Sequence, residues 1–408
     1  MARFSLPAAC RLPSTLLVAL LAFSSVTSAA SDLDSVDLHN LDSVLADSME
    51  DMSAFRDLVT RYPDIYGRLK DVTILAPNDR AFSMSDHSWI RNQGQVEATL
   101  RYHILPGRYN TNDLPMGVSA YHATTLDDSA FSNLTKGQRV FFTKQPDGKV
   151  VVTSGFGTRG TLTKENLPFS GGLVQIVDGL MKVPEPIGPT IGKGFPHLSA
   201  FLGALHHAGL VDELSDMKDV TVFAPRNTAF QQMSHILEGM TTKELKRVMS
   251  YHIVPGTVKM SWELQNASIL DAIESTDEVN QIVGRRKLHV TRFNNYIYIN
   301  SAQVDQANLL LSNGVMYSID NVLSPNNSDA RPDVAISSQP PVLGPSPTNK
   351  VSDSSIPFTT YVPELNFTRV DADYPSVTTV TTTMTENVAA MRCTGLGLAL
   401  IGALAVGL

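Results

Sequence analysis

Val72–Phe82 reads VTILAPNDRAF, and Val220–Phe230 reads VTVFAPRNTAF. Six of the eleven positions are identical, at an offset of 148 residues. In each copy Thr and two large apolar residues lead into Ala-Pro. This predicts a short buried strand that stops at proline, which cannot donate to a sheet ladder and pushes its predecessor toward extended geometry. The polar pair that follows, Asn78-Asp79 or Arg226-Asn227, then meets Ala-Phe. Small polar residues there offer side-chain oxygens to the next backbone N–H groups, as turns and helix N-caps require.

Two further blocks recur in the same order. Leu100–Gly107 (LRYHILPG) returns as Met249–Gly256 (MSYHIVPG), and Gly172–Asp178 (GLVQIVD) returns as Gly314–Asp320 (GVMYSID). Three blocks in one order mean two copies of one domain of roughly 140 residues, a period far too long for a solenoid. These blocks resemble the fasciclin-type adhesion domains. The family signature is matched at Thr73–Ala81 and Thr221–Ala229, at Tyr102-His103 and Tyr251-His252, and at Gly172–Asp178 and Gly314–Asp320. Leu75 and Arg226 depart from the usual family residues without breaking the hydrophobic pattern. The resemblance covers roughly residues 34–325. It implies an α+β fold of two tandem domains, helices packed on a β-sheet wedge, and a role in adhesion with no cofactor.

Local patterns agree with an α+β class. Leu41, Val44, Leu45, Met52, Phe55, Leu58, Val59 and Tyr62 recur at three- and four-residue spacing, which predicts one or two amphipathic helices ending near Pro63. Leu198, Phe201, Leu202, Leu205, Val211 and Leu214 are the second copy's counterpart. Thr241 and Glu244 form a capping-box pattern for a helix running to Tyr251 and stopped by Pro255-Gly256. Beyond it the period becomes two. Val140–Thr143 and Lys149–Thr153 flank Gln-Pro-Asp-Gly, and Lys287–Thr291 pairs with Tyr296–Asn300 across Arg-Phe-Asn-Asn. Tyr296 and Tyr298 alternate with Ile297 and Ile299, as in a strand with one buried face.

The ends and joints differ in composition. Residues 1–30 carry Arg3 and Arg11, a short apolar run and small residues, the layout of a secretory signal peptide. Residues 34–184 form the first domain, 185–194 a short proline-rich linker that limits relative orientation, and 195–325 the second domain. Residues 326–387 are rich in Pro, Ser and Thr, a disordered stalk suited to O-glycosylation. Residues 388–408 end in thirteen apolar residues, Leu396–Leu408, with no basic tail. That order resembles a glycosylphosphatidylinositol attachment signal, with Asn387 the first choice and Ala389, Ala390 and Gly395 the alternatives; a tail-anchored span is the rival. The two cysteines, Cys10 and Cys393, both fall in segments expected to be removed. Losing Arg3, Arg11 and Arg392 takes the net charge from −8 to −11, so nucleic acid is not an expected partner.

Candidate sites are few. Tyr102-His103 and Tyr251-His252 are the sharpest. The family resemblance ties this dipeptide to adhesion and integrin binding, whereas a tyrosine and histidine closing a helix also serve to hold a core. Sequons stand at Asn133, Asn266, Asn326 and Asn366. Gly155–Gly160 (GFGTRG) matches G-x-G-x-x-G, but a dinucleotide site needs a helix to start there, and TLTKENLPFSGG shows none. His197, His206 and His207 lack the spacing of a metal site, and no nucleophile motif is present in the mature chain. Three functions follow. The first is a non-enzymatic surface or matrix protein, binding surface proteins, wall glycans or copies of itself from a lipid anchor. Its anchor and its lack of disulfides suit a fungal plasma membrane or cell wall. The second is a structural membrane protein of an internal compartment such as the vacuole, and the third a nucleotide-dependent enzyme using Gly155–Gly160.

Overall fold

The computed structural model describes residues 40–275, 282–336, 338–344 and 356–362. The expected signal peptide, Asn366, Asn387, both cysteines, most of the stalk and the 388–408 segment lie outside the described residues.

Each half builds one seven-stranded sheet. The first contains β1 (Val72–Pro77), β2 (Ile104–Pro106), β3 (Ser119–Ala123), β4 (Arg139–Lys144), β5 (Val150–Thr153), β6 (Arg159–Phe169) and β7 (Gly172–Val177). The second contains β8 (Val220–Pro225), β9 (Ile253–Val254), β10 (Ile269–Ser275), β11 (Ile282–Phe293), β12 (Tyr296–Ile299), β13 (Ala302–Leu311) and β14 (Gly314–Ile319). The orders are β2-β1-β7-β6-β5-β4-β3 and β9-β8-β14-β13-β12-β11-β10, so the topology is the same twice. In both, the Ala-Pro strand is buried throughout and pairs parallel with the closing strand, Val72 opposite Gly172 and Val220 opposite Gly314.

The α-helices of each half all come before β2 or β9, with β1 and β8 set among them. The first half has α1 (Leu41–Ala46), α2 (Ser53–Arg61), α3 (Pro63–Tyr66), α4 (Asp79–Ser83) and α5 (Gln93–Tyr102). The second has α6 (Ile187–Gly194), α7 (Ser199–His207), α8 (Val211–Asp216), α9 (Asn227–Gln232), α10 (Ser234–Leu237) and α11 (Thr242–Ser250). The capping box of α11 forms as its sequence dictates: Thr241 Oγ1 accepts from Glu244 N, and Glu244 Oε2 accepts from Thr241 N at 2.9 Å. Leu45, Phe55, Ile74 and Ile176 lie in one core cluster of the first half, and Phe223, Tyr251, Ile299 and Tyr317 in a cluster of the second.

Several expectations need correction. Residues 185–194 are not a plain linker, because Ile187–Gly194 is helical and buries Ile187, Thr190 and Ile191. Its prolines and glycines masked an i, i+4 apolar pair. Tyr298 does not face solvent; only Tyr296 at the turn is exposed, and the rest of β12 is buried on both faces. The stretch read as stalk is also not wholly apart from the domains. Asn321 Nδ2 donates to Pro340 O at 2.8 Å, Gly344 lies against Ile236, and Pro357 and Val362 are buried.

The halves pack together within one compact unit. Trp262 of the second stacks on Tyr121 of the first at 4.9 Å and meets Phe141 edge-on at 6.1 Å. Gln138 Nε2 donates to Ser312 O at 2.9 Å, Asn133 N to Ser312 O at 2.9 Å, and Thr135 N to Asp219 Oδ1 at 2.9 Å. These contacts, rather than linker stiffness, set the relative placement of the domains.

Candidate functional site

The repeated blocks can be built from their residues upward, and most of their shared residues perform one task twice. Thr73 Oγ1 donates to Gly107 O at 2.8 Å and accepts from Tyr109 N at 2.8 Å. Thr221 does the same with Thr257 O and Lys259 N, at 2.8 and 2.9 Å. Each threonine thus ties the chain after Pro-Gly back to the Ala-Pro strand. The glycine that opens each closing strand allows the parallel pairing to begin. A Cβ on Gly172 would sit 1.8 Å from Val72 O, and one on Gly314 would sit 2.0 Å from Val220 O. The terminal aspartates, Asp178 and Asp320, accept from Thr161 N and Gln303 N at 2.6 and 2.7 Å.

The polar pair after Ala-Pro behaves differently in the two copies. Asn78 caps α4, its Oδ1 accepting from Ala81 N at 3.0 Å. Arg226 offers no such cap and instead pairs with Asp305 at 3.1 Å, because a guanidinium has no acceptor. The second member is used alike in both: Asp79 accepts from Ala54 N, and Asn227 from Ala200 N, each at 2.9 Å. These side chains anchor the N-termini of α2 and α7. Nothing in the sequence indicated this long-range role.

The Tyr-His pairs are buried completely or nearly so, with relative exposures of 0% and 1% for Tyr102 and His103 and 0% for both Tyr251 and His252. Tyr102 Oη donates to Arg139 O at 2.7 Å, and Tyr251 Oη to Lys287 O at 2.8 Å. His103 Nδ1 lies 2.7 Å from Thr99 O, while its Nε2 accepts from Met181 N at 3.0 Å. His252 repeats this with Val248 O at 2.9 Å and Leu323 N at 3.0 Å. A backbone carbonyl on one nitrogen and a backbone N–H on the other fix the neutral Nδ1–H tautomer. Burial lowers both imidazoles to about 4, against the ordinary 6.5, and holds the rings uncharged. Each pair therefore joins the end of a helix to the strand after it (β2, β9), to a neighbouring strand (β4, β11) and to the segment beyond the closing strand (β7, β14). Neither aromatic ring reaches the surface to meet a ligand.

The remaining candidates are dispersed. Gly155–Gly157 is a single turn that runs into β6, so no helix N-terminus is available to a pyrophosphate. These glycines serve close packing: a Cβ on Gly155 would meet Lys182 O at 2.6 Å, and one on Gly160 would meet Val177 Cγ2 at 2.6 Å. The nucleotide reading is thereby set aside. His206 and His207 end α7, and His197 lies in a separate turn; among the described residues no group of three or more His, Cys, Asp or Glu side chains could hold a metal. Asn133 is a poor glycan acceptor in this arrangement, since its Nδ2 faces Asp216 O at 2.9 Å and Met217 O at 3.3 Å. Asn266 and Asn326 stand at exposed positions.

With the same inner network built twice, comparison with known proteins is decisive. The fasciclin domain model matches residues 50–184 and again 196–325. The chain belongs to the fasciclin-domain family. It is 28% identical over 325 residues to a fasciclin-like arabinogalactan protein of Arthroderma benhamiae, covering 77% of this chain and 74% of that one. A fasciclin-like arabinogalactan protein of Cercospora beticola, CTB11, is 28% identical over 302 residues, covering 70% and 76%. Human periostin is 24% identical over 259 residues, covering 62% of this chain and 27% of periostin. A solved FAS1 domain pair from the insect cell adhesion molecule Fasciclin I aligns with 67% of this chain and 97% of its own, at 18% identity and a TM-score of 0.33. The fasciclin match over both halves makes the chain a non-enzymatic member of this family.

Proposed function

We propose that this fasciclin-domain protein is an adhesion or cell-wall interaction protein, held outside the cell by a C-terminal lipid anchor and carried on a glycosylated stalk. The observation that carries the reading is the fasciclin match over both halves, in a chain similar along most of its length to fungal fasciclin-like arabinogalactan proteins. The site geometry supports it. The shared Thr, Tyr, His and terminal Asp side chains of the repeated blocks form hydrogen bonds within the fold, which leaves the outer faces to make contact. Ile269, Phe293 and Tyr296 are 43–50% exposed along the outer edge and hairpin turn of the second sheet, next to the sequon at Asn266. Single apolar contacts of this size are weak, and many copies on one membrane gain avidity through effective concentration.

Two measurements test the reading. A screen of residues 31–364 against wall glycans and surface proteins should return a saturable ligand; binding to none removes the contact role. Phospholipase treatment of intact cells should release the protein, and retention after treatment rejects the lipid anchor.

A further inference from the structure

Ile356–Val362 (IPFTTYV) lies across α7 of the second domain. The approach is close enough to exclude any side chain at Gly203: a Cβ there would lie 2.0 Å from Phe358 O. The Phe358 ring meets Phe230 edge-on at 6.2 Å and His207 at 5.8 Å, and Tyr361 packs on His207 at 4.5 Å. Phe358 is held at φ +65°, an unusual conformation for an aromatic residue that the surrounding contacts must maintain. The segment's turn is closed locally, by Tyr361 N to Phe358 O at 2.9 Å and Thr359 Oγ1 to Ile356 O at 3.1 Å. It is thus an aromatic turn seated in a matching groove.

The first domain shows what this position looks like without such a ligand. Aligning α2 with α7 on Ser53 and Ser199 puts Asp57 where Gly203 stands and Arg61 where His207 stands. Asp57 and Arg61 pair with each other over that face, and Phe82, the counterpart of Phe230, stays half-buried beside Trp89 at 5.6 Å, lining with Asp57 and Arg61 an open cleft of about 470 Å³. Only the second domain places a glycine and a histidine on this face, and there the phenylalanine is buried beneath the Phe358 ring.

We propose that the Gly203 face of α7 is a binding groove for a Phe-Thr-Thr-Tyr segment, filled here by the chain's own residues and able to take the same segment from a second copy. Eleven residues separate Gly344 from Ile356. At about 3.3–3.6 Å per residue their reach is roughly 40 Å, ample to cross to a neighbouring molecule. Exchange of an identical element between copies needs no new surface and is a low-cost route to pairing. It stands independently of the lipid anchor and of any glycan ligand.

The test uses the full chain. F358A/Y361A empties the groove, and a fluorescent, end-blocked peptide IPFTTYV is the probe. The peptide should bind the double variant saturably and at least tenfold more tightly than wild type, whose groove is occupied. Adding G203D to the double variant should abolish binding while a cooperative melt is retained, since the first domain carries Asp57 at the same helical position. Equal binding to wild type and double variant, or none to a cooperatively melting double variant, would overturn the groove. Refolding wild type at high concentration should give a dimer by sedimentation that F358A/Y361A does not form; wild type that stays monomeric would overturn exchange with a second copy.

Discussion

Replacing His252 by alanine should damage the second domain severely. The ring is wholly buried, with Nδ1 2.9 Å from Val248 O and Nε2 accepting from Leu323 N at 3.0 Å. Truncation leaves the buried Leu323 N–H without this partner, a desolvation cost of about 1–3 kcal/mol. It also opens a cavity beside Phe201, whose ring lies 5.8 Å away. Truncations of comparable aromatic size cost about 3–5 kcal/mol. Together the loss is roughly 4 kcal/mol or more, a large part of the ~5–15 kcal/mol that holds a typical domain. Y251F is the graded control. It keeps the ring and loses only the hydroxyl bonds to Lys287 O and Asn300 Nδ2, at about 1 kcal/mol each. Urea unfolding of residues 31–344, followed by near-UV circular dichroism, separates the two. An H252A variant within 1 kcal/mol of wild type, or one that loses surface binding at unchanged stability, would refute the structural role of the ring.

Acid should destabilise the first domain more than the second. Between pH 6.5 and about 4 the unfolded chain protonates His103 and His252 while the folded chain does not, so stability is full above pH 6.5 and falls as the pH drops toward 4. Asp320, raised to about 6 chiefly by burial, acts the opposite way and offsets most of the His252 loss in the second domain; a urea midpoint of the first domain that stays flat from pH 7 to 4.5 would contradict the His103 account. G314A should abolish secretion of folded protein, because its Cβ would fall 2.0 Å from Val220 O; a wild-type yield and melting temperature would exclude that clash. T241A should remove the capping box of α11 and cost about 1 kcal/mol, read as a small fall in the urea midpoint. W262A should loosen the contact with Tyr121 and Phe141 while leaving each sheet intact, seen as faster proteolysis between the domains at unchanged far-UV dichroism.

The duplication was legible because both copies need the same rare residues at the same places. Thr73 and Thr221, Gly172 and Gly314, and the two Tyr-His pairs meet constraints of backbone geometry that few substitutes satisfy. What stayed hidden depends on partners distant in sequence. The helix Ile187–Gly194 is poor in helix formers and is stabilised by burying Ile187 and Ile191. Arg226 fills a cap position it cannot serve, since its role is set by Asp305, 79 residues on. The burial of His103 rested on Met181, and that of His252 on Leu323, neither of which any local pattern marks. Gly203 reads as a weak point in a helix until Phe358 is seen against it.

The central claim is that the Tyr-His pairs lock the interior of each domain and take no part in contact. Long-range nitrogen NMR of the imidazoles tests this most directly. The account predicts that His103 and His252 are both neutral Nδ1–H tautomers at pH 7, remain uncharged at pH 5 and do not shift when a surface ligand is added. Titration of either ring near 6.5, or a shift on ligand addition, would contradict it.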